Sequence, residues 1–334
     1  MALPRSLAGH VYQAVSLAES RLASLRLLWG QEPAGLNVFM FHRLSTDAAV
    51  YDRNEIMPHQ YTSVSHFEEC IACMLDAGYT FLRPQDLPAR RHQPGRYVIL
   101  TFDDGYLDVL RTIPILERHD VPAVFFISTR FVREQKAFWT DVIYREVMRQ
   151  PQGLEKLKPW LEEFSRLTTE QIEQRLLAAF GPDCLKPLGD IDRTLTATEL
   201  EKFAQHPLVV IGNHTANHAV LPLFSEEQVM AEISLGQEHL REMTGRLPEA
   251  IAYPGGQFNR RIIELARTAG LKFGFTGFPD RWSAQDLASR DLLAIPRMAL
   301  RGDRSIRRQC VQARANLQLY RKLRPGHSSP EGGY

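Results

Sequence analysis

Two neighbouring carboxylates end an apolar run in this sequence, Val98-Ile99-Leu100-Thr101-Phe102-Asp103-Asp104-Gly105. The run is β-branched and aromatic, which predicts a buried strand. Gly105 breaks it and leaves both aspartates at its carboxyl end. In α/β folds ligands gather at that end, because the loops there converge on one crevice. Two like charges side by side repel, and burial worsens the repulsion unless a cation or a shared proton relieves it. Taken alone, Asp-Asp-Gly is an ordinary solvated turn. A second apolar run, Val209-Val210-Ile211-Gly212-Asn213, leads into His214-Thr215-Ala216-Asn217-His218. Neutral imidazole is the commonest metal ligand, and a spacing of four on a helical turn aims both rings at one point. Two surface or backbone-bonded histidines are the plain alternative. Together the clusters offer two nitrogens and one oxygen. That set suits Zn²⁺ or a similar divalent ion, with one position left open for water.

These two stretches resemble the first two motifs of the polysaccharide deacetylases, the NodB-homology group of carbohydrate esterase family 4. Ala252-Tyr253-Pro254-Gly255-Gly256 resembles their third motif, a proline-containing loop at another strand end. The motifs fall in family order, and the resemblance covers Asn37 to Leu300. It implies an α/β fold, an irregular (β/α) barrel of about seven strands. It also implies a reaction, hydrolysis of the acetamide of an N-acetylated sugar or polysaccharide precursor. By the same resemblance Asp103 is the general base, and Asp104, His214 and His218 hold one divalent metal ion. Zn is the first choice, with Co, Ni or Mn as alternatives. Such an ion acidifies water enough for a nearby carboxylate to serve as its base. A backbone N–H beside Tyr253 is implied as a donor to the oxyanion, which makes Tyr253, Pro254 and Gly255 the substrate-binding loop. The amine must leave protonated, so an acid is required.

Here the sequence departs from the commonest pattern. Most members carry the acid histidine in a late Leu-x-His motif, yet no histidine follows Arg297 before His327. The run Leu36-Asn37-Val38-Phe39-Met40-Phe41-His42-Arg43 resembles instead the start of a subgroup with permuted motifs, as in periplasmic poly-N-acetylglucosamine deacetylases. That implies His42 as the acid; a core-edge histidine bonded to backbone is the alternative. The arginine that many members place before the third-motif proline, where it orients the base, is missing from Ile251-Ala252-Tyr253-Pro254. Arg297, in Ile295-Pro296-Arg297-Met298, resembles an arginine of the permuted subgroup and would pair with Asp103; a plain surface arginine is the alternative. Asp280-Arg281-Trp282 resembles the fourth motif only superficially and receives no catalytic role.

Around the motifs, strand-like runs alternate with helical patterns, as a βα barrel requires. Val121–Ile127 reads as strand. Arg261–Ala269 reads as a helix stopped by Gly270, and Glu226–Met243 as a helix with Val229, Ile233, Gly236 and Leu240 on one face. The expected organisation is a barrel over 36–300, with a charged helical insertion at 130–205. An amphipathic helix is expected within 1–30, a basic helix at 301–324 and a disordered tail at 325–334. The insertion lies between the first two motifs. It is either peripheral padding or a cap whose Trp139 or Trp160 stacks on a sugar face.

With 334 residues, 44% of them hydrophobic, and a net charge of +1, the chain is globular and gives no hint of nucleic-acid binding. Cys70 and Cys73 form a Cys-x-x-Cys inside the helical pattern Phe67, Cys70, Ile71, Met74, Leu75, so packed thiols are expected. Free thiols favour a reducing cytosol. Apolar residues from Leu7 to Trp29 recur at helical spacing, but Glu19, Arg21 and Arg26 interrupt any export signal. No run approaches the ~20 apolar residues of a spanning helix. A cytoplasmic protein acting on a nucleotide- or lipid-linked sugar is therefore expected. The basic residues from Arg297 to Arg324 face only Asp303 and flank the seam Ile306, Cys310, Ala313, Leu317, Tyr320. Peripheral attraction to an anionic membrane is one reading and a solvated face the other. The alternative functions are an O-deacetylase, a non-sugar amidohydrolase on the same fold, and a non-catalytic glycan-assembly protein.

Overall fold

The apolar runs that lead into the two motifs are strands of a single curled sheet, separated by one strand between them. The computed structural model describes Ala18 and residues 21–30, 32–46, 56–57 and 60–316. Its strands are β1 (Gly35–Phe41), β2 (Arg43–Ser45), β3 (Tyr61–Ser63), β4 (Thr80–Phe81), β5 (Arg96–Phe102) and β6 (Ala123–Ile127). They continue with β7 (Val209–Asn213), β8 (Ala250–Ala252), β9 (Phe273–Phe275), β10 (Trp282–Ser283) and β11 (Met298–Ala299). The main path of the sheet is β10-β1-β5-β6-β7-β8-β9, seven strands, with β11 on β1 and β4 on β5. All pairings from β1 to β9 along this path are parallel, and β10 alone runs antiparallel, beside the first residues of β1.

The sheet curls towards closure through the run Ile295–Ala299. Ile295 bridges Phe275 of β9, and its amide donates to Gly274 O at 2.7 Å. Three residues on, Met298 pairs with Phe39 of β1. The fold is thus the irregular (β/α) barrel that the motifs implied.

Alternation along the strands sorts the core into two parts, because successive side chains point to opposite faces. Leu36 and Val38 of β1, Ile99 of β5, Phe126 of β6 and Phe275 of β9 share one cluster. Phe39, Phe41, Leu100, Phe102 and Phe125 share the other, against the helices Val64–Asp76, Ile113–His119, Ala197–Ala204 and Ile306–Arg314. Phe41, Phe102 and Phe125 stack in a row at 5.2 and 5.1 Å. By the same alternation, Thr101 and Asp103 face the side opposite Phe102.

The insertion between β6 and β7 has its own apolar core, including Val142, Ile143, Val147, Phe164, Ile172 and Leu176. Its helices Trp139–Met148, Gly153–Phe164 and Thr169–Phe180 supply these residues. The separately packed part is narrower than 130–205, because Val132 and the helix Ala197–Ala204 pack with the barrel layer. Trp160 lies between Phe164 and Phe180, at 5.3 and 5.1 Å. Its rings serve the insertion's core.

Residues 21–29 are helical, and Leu22, Leu25, Leu28 and Trp29 are exposed. The rest of the expected N-terminal helix lies outside the described residues, apart from Ala18. At the other end the helix Ile306–Arg314 buries Ile306, Cys310 and Ala313. The expected continuation to 324 and the tail at 325–334 lie outside the described residues. Several of the basic residues are paired, among them Arg301 with Asp303, Arg314 with Glu32 at 2.8 Å and Arg297 with Asp103 at 2.7 Å. The four cysteines are free thiols, and Cys70 and Cys310 meet at 3.7 Å between their helices. Leu75 departs from the expected buried stripe of its helix and is exposed. No helix among the described residues is long and apolar enough to cross a membrane.

Candidate active site

β5 delivers Asp103 and Asp104 to its carboxyl end, where the Asp103 amide donates to Phe41 O at 3.0 Å and locks the loop to the end of β1. The chain then turns sharply. Asp104 has φ 77° and Gly105 φ 84°, two left-handed residues in succession. A non-glycine residue held there is strained, and such strain concentrates at functional sites. At Gly105 a side chain would add a second problem, since a Cβ would stand 3.0 Å from Ile127 Cδ1.

The two histidines are not on a helical turn, contrary to the spacing argument. They sit in a loop after β7 in which Thr215 has φ 61° and His218 φ 53°. Side-chain caps make this loop. Asn213 Oδ1 accepts from the Thr215 amide at 2.8 Å, and Thr215 Oγ1 accepts from the Ala219 amide at 3.0 Å. Such local bonds stabilise turns in place of helix. The helix Glu226–Thr244, begun by a capping box at Ser225, holds the loop from outside. Its Glu232 accepts from the Asn217 amide and side chain, at 3.0 and 2.6 Å. Gly236 lets it come this close, since a Cβ there would lie 2.5 Å from Asn213 Oδ1.

The outcome is a tight donor set. Asp104 Oδ1 stands 3.4 Å from His214 Nε2 and 3.4 Å from His218 Nε2. Among the described residues this is the one group of three such ligands. Asp104 Oδ1 is buried with no hydrogen-bond donor. Metal bonds of about 2.0–2.1 Å at tetrahedral angles would set ligand atoms about 3.3 Å apart, so the residues fit a zinc-like ion. His214 Nδ1 lies 2.8 Å from Ala252 O. A proton on Nδ1, bonded to that carbonyl, leaves the Nε2 lone pair for a metal. Burial, reinforced by the charge of His214, lowers the His218 pKa to about 4, so its ring is neutral at ordinary pH. Burial opposes charge on Asp104 as well, yet His214, His218 and His42 outweigh it and hold the carboxyl below its usual range.

Asp103 is gripped by Arg297, with Nη1–Oδ1 2.7 Å and Nη2–Oδ2 2.8 Å. Arg297 Nη1 also reaches Thr101 Oγ1 at 3.2 Å, and its Nε donates to Thr276 O at 2.9 Å. Burial again opposes the Asp103 charge, but Arg297 first and His214 next keep the carboxyl ionised. His42 is half-buried directly after β1, and its charge bears on Asp103, Asp104 and His218. Arg281 and Trp282 lie at the far end of β1, where Trp282 pairs with Leu36.

In the third-motif loop the Tyr253 amide itself is committed to the sheet. The residue is fully buried, its amide donates to Phe275 O at 3.0 Å and its hydroxyl to Leu293 O at 2.8 Å. Pro254 is buried and has no N–H to give. Gly255, exposed with φ 63°, carries the first N–H after Tyr253, and the next one, on Gly256, donates to Tyr253 O at 2.8 Å.

A buried polar group beside the site escapes sequence reasoning. Arg43 lies 4.3 Å from the ring centroid of Tyr106, whose hydroxyl donates to Asp141 Oδ2 at 2.6 Å. Arg43 also stands 3.5 Å from both Asp108 and Asp141. Burial raises the Asp141 pKa to about 6. Asp141 and Arg145 are four apart on one helix, a spacing that reads as a surface ion pair. Both are buried instead, and Arg145 pairs with Asp192 at 2.6 Å.

Solved structures share this fold. A Streptococcus pyogenes deacetylase PplD in complex with acetate is 19% identical, with TM-score 0.58 over 84% of this chain and 99% of that one. IcaB from Ammonifex degensii is 20% identical, with TM-score 0.57 over 85% of this chain and 98% of that one. A de-N-acetylase from Aggregatibacter actinomycetemcomitans is 18% identical, with TM-score 0.54 over 80% and 96%. No curated protein matches the sequence significantly. The sequence profile described as Polysaccharide deacetylase matches residues 90–274, more than half of the chain and both clusters at the strand ends. The chain belongs to the polysaccharide deacetylase family and is a hydrolase.

Proposed function

We propose that the protein is a metal-dependent N-deacetylase that removes the acetyl group from an N-acetylated sugar or exopolysaccharide precursor. The observation that carries this is the pairing of an ionised, arginine-held Asp103 with the Asp104–His214–His218 donor set. A divalent ion held by those three residues, zinc first among the candidates, would supply Lewis acidity towards water and the amide carbonyl. Asp103 accepts the proton of the attacking water, and Arg297 keeps its carboxylate charged and aimed. His42 donates the proton that the departing amine nitrogen requires. Gly255 offers its amide to the developing oxyanion. An acid beside the base favours an amide over an ester, because an alkoxide leaves far more easily without a proton than an amine does.

The protein works in the cytoplasm, at times against the inner face of a membrane. Leu22, Leu25, Leu28 and Trp29, exposed on one helix, and Arg307 and Arg308, exposed on another, support that placement. Trp139 and His218, which line one cavity, support a capping role for the insertion. Mass spectrometry across a panel of nucleotide- and lipid-linked acetamido sugars and their O-acetyl counterparts tests the activity. Loss of an acetyl group from acetamides, stopped by a chelator, is expected. Turnover of O-acetyl sugars alone would replace this reading with O-deacetylation.

A further inference from the structure

A cleft of about 470 Å³, open solvent at its mouth included, has His218 of the candidate site and residues of the helical insertion in its walls. His218 is one of its lining residues, and Phe131, Trp139, Ile172, Leu176 and Leu185 supply apolar wall. Phe138, buried behind this wall, sets its ring edge-on to His218 at 5.6 Å and stacks on Phe131 at 4.0 Å, so aromatic contacts join His218 to the cavity wall. Of the cavity's polar lining Ser165 is exposed and Thr169, Glu173 and Asn217 are half-buried, with the Glu173 carboxylate held by Lys136 at 3.1 Å and the Asn217 side chain by Glu232 at 2.6 Å, whereas Ile172 and Leu176 are buried.

An amide carbonyl positioned by Asp104, His214 and His218 carries two substituents, the nitrogen with its sugar and the acyl chain. A sugar ring has hydroxyls on nearly every carbon, and an aromatic and aliphatic floor would leave them without partners. An acyl chain needs none. We propose that this cavity receives the acyl group of the scissile amide, and that the enzyme prefers N-acyl chains a few carbons longer than acetyl. The proposal rests on the N-deacylase reading and names its substrate class more narrowly. In the reaction the C–N bond breaks and the water oxygen ends on the acyl carbon. A short-chain carboxylate is released, and the proton goes to the amine nitrogen.

The test uses the full chain loaded with Zn²⁺ and two readouts. The first is kcat/KM on N-acetyl-, N-propanoyl- and N-butanoyl-glucosamine. Each buried methylene is worth about fourfold, so the butanoyl substrate should exceed the acetyl one by roughly tenfold or more. Leu176→Phe, which fills the cavity, should bring that ratio to one or below, and Ile172→Ala, which widens it, should raise the ratio again. The second readout is calorimetric titration with sodium acetate and sodium butanoate, which needs no turnover and no variant. Butanoate should bind roughly tenfold more tightly. Equal or weaker binding of butanoate, or activity that falls steadily beyond acetyl and ignores Leu176→Phe, overturns the proposal. Hydrolysis of acetamides with that outcome leaves the deacetylase reading intact. Tight butanoate binding without hydrolysis of any N-acyl sugar supports the cavity and sinks the reaction.

Discussion

Arg297 and Asp103, 194 residues apart in sequence, form a two-pronged ion pair closed off from solvent on both sides. A guanidinium matches a carboxylate in this geometry and an ammonium does not. The pair fixes both the charge and the direction of the proposed base.

Arg297→Lys keeps the charge and loses the fork. It should lower kcat by about 10- to 100-fold with little change in KM and full metal content. Arg297→Met should also unfold more readily, by roughly 3–5 kcal/mol, because a buried carboxylate is left alone. Steady-state kinetics, elemental analysis and denaturant titration read these out. A Lys variant with unchanged kcat would strip Arg297 of its orienting role.

His218→Ala and Asp104→Asn should each lose most bound metal when purified in limiting Zn²⁺, and chelation should silence the parent enzyme. Metal content by mass spectrometry, followed by readdition of Zn²⁺ or Co²⁺, checks this. Full activity in a verified metal-free sample is the outcome that removes the ion from the reaction.

His42→Ala should retain its metal and hurt amides more than esters. The expected loss is about 10²-fold or more for an acetamide and far smaller for an aryl acetate. Equal losses on both would mean that His42 is not the acid.

Asp141 carries the clearest pH dependence away from the metal ligands. Burial raises its pKa from 3.8 to about 6 in the folded protein, so the native state holds the proton more tightly than the unfolded chain. The associated stability is therefore present below about pH 4 and lost as pH rises through 6, on the order of 3 kcal/mol in total. Asp141→Asn should show a flatter dependence of unfolding free energy between pH 4 and 7 than the parent. Parallel curves would show that the carboxyl is ionised throughout.

Binding to anionic vesicles should be measurable at low salt and disappear at high salt, since several basic side chains contribute up to about 1 kcal/mol each. Flotation with Leu25→Glu and Trp29→Glu variants assigns the contact to the exposed helix. Absence of binding at low salt would end the membrane proposal alone.

Much of this was legible in the residues. Val98–Gly105 and Val209–His218 had strand runs followed by ligand types, and the barrel follows from such runs alternating with amphipathic helices. The histidine loop was misread because spacing of four suits a helix, whereas Asn213 and Thr215 divert the backbone into left-handed turns that leave no periodic trace. The sequence places an oxyanion donor beside Tyr253 but does not say which amide is left over; the Tyr253 amide belongs to the sheet, a fact set by its partner Phe275. Asp141 and Arg145 leave no trace of burial in the sequence because charge is ordinarily a surface signal; distant partners make burial tolerable, Arg43 and Tyr106 for Asp141, Asp192 and the Lys186 carbonyl for Arg145.

The seam from Ile295 to Ala299 has a consequence for how the protein comes into being. It touches β9 at one end and β1 at the other, and Arg297 lies between those contacts. During synthesis His42, Asp103 and the candidate ligands as far as His218, and then the Tyr253–Gly255 turn, leave the ribosome before Arg297 does. A nascent chain can therefore hold Asp104, His214 and His218 while the proposed base is still without the arginine that pairs with it, so on the proposed mechanism competence arrives with the last turn of the barrel.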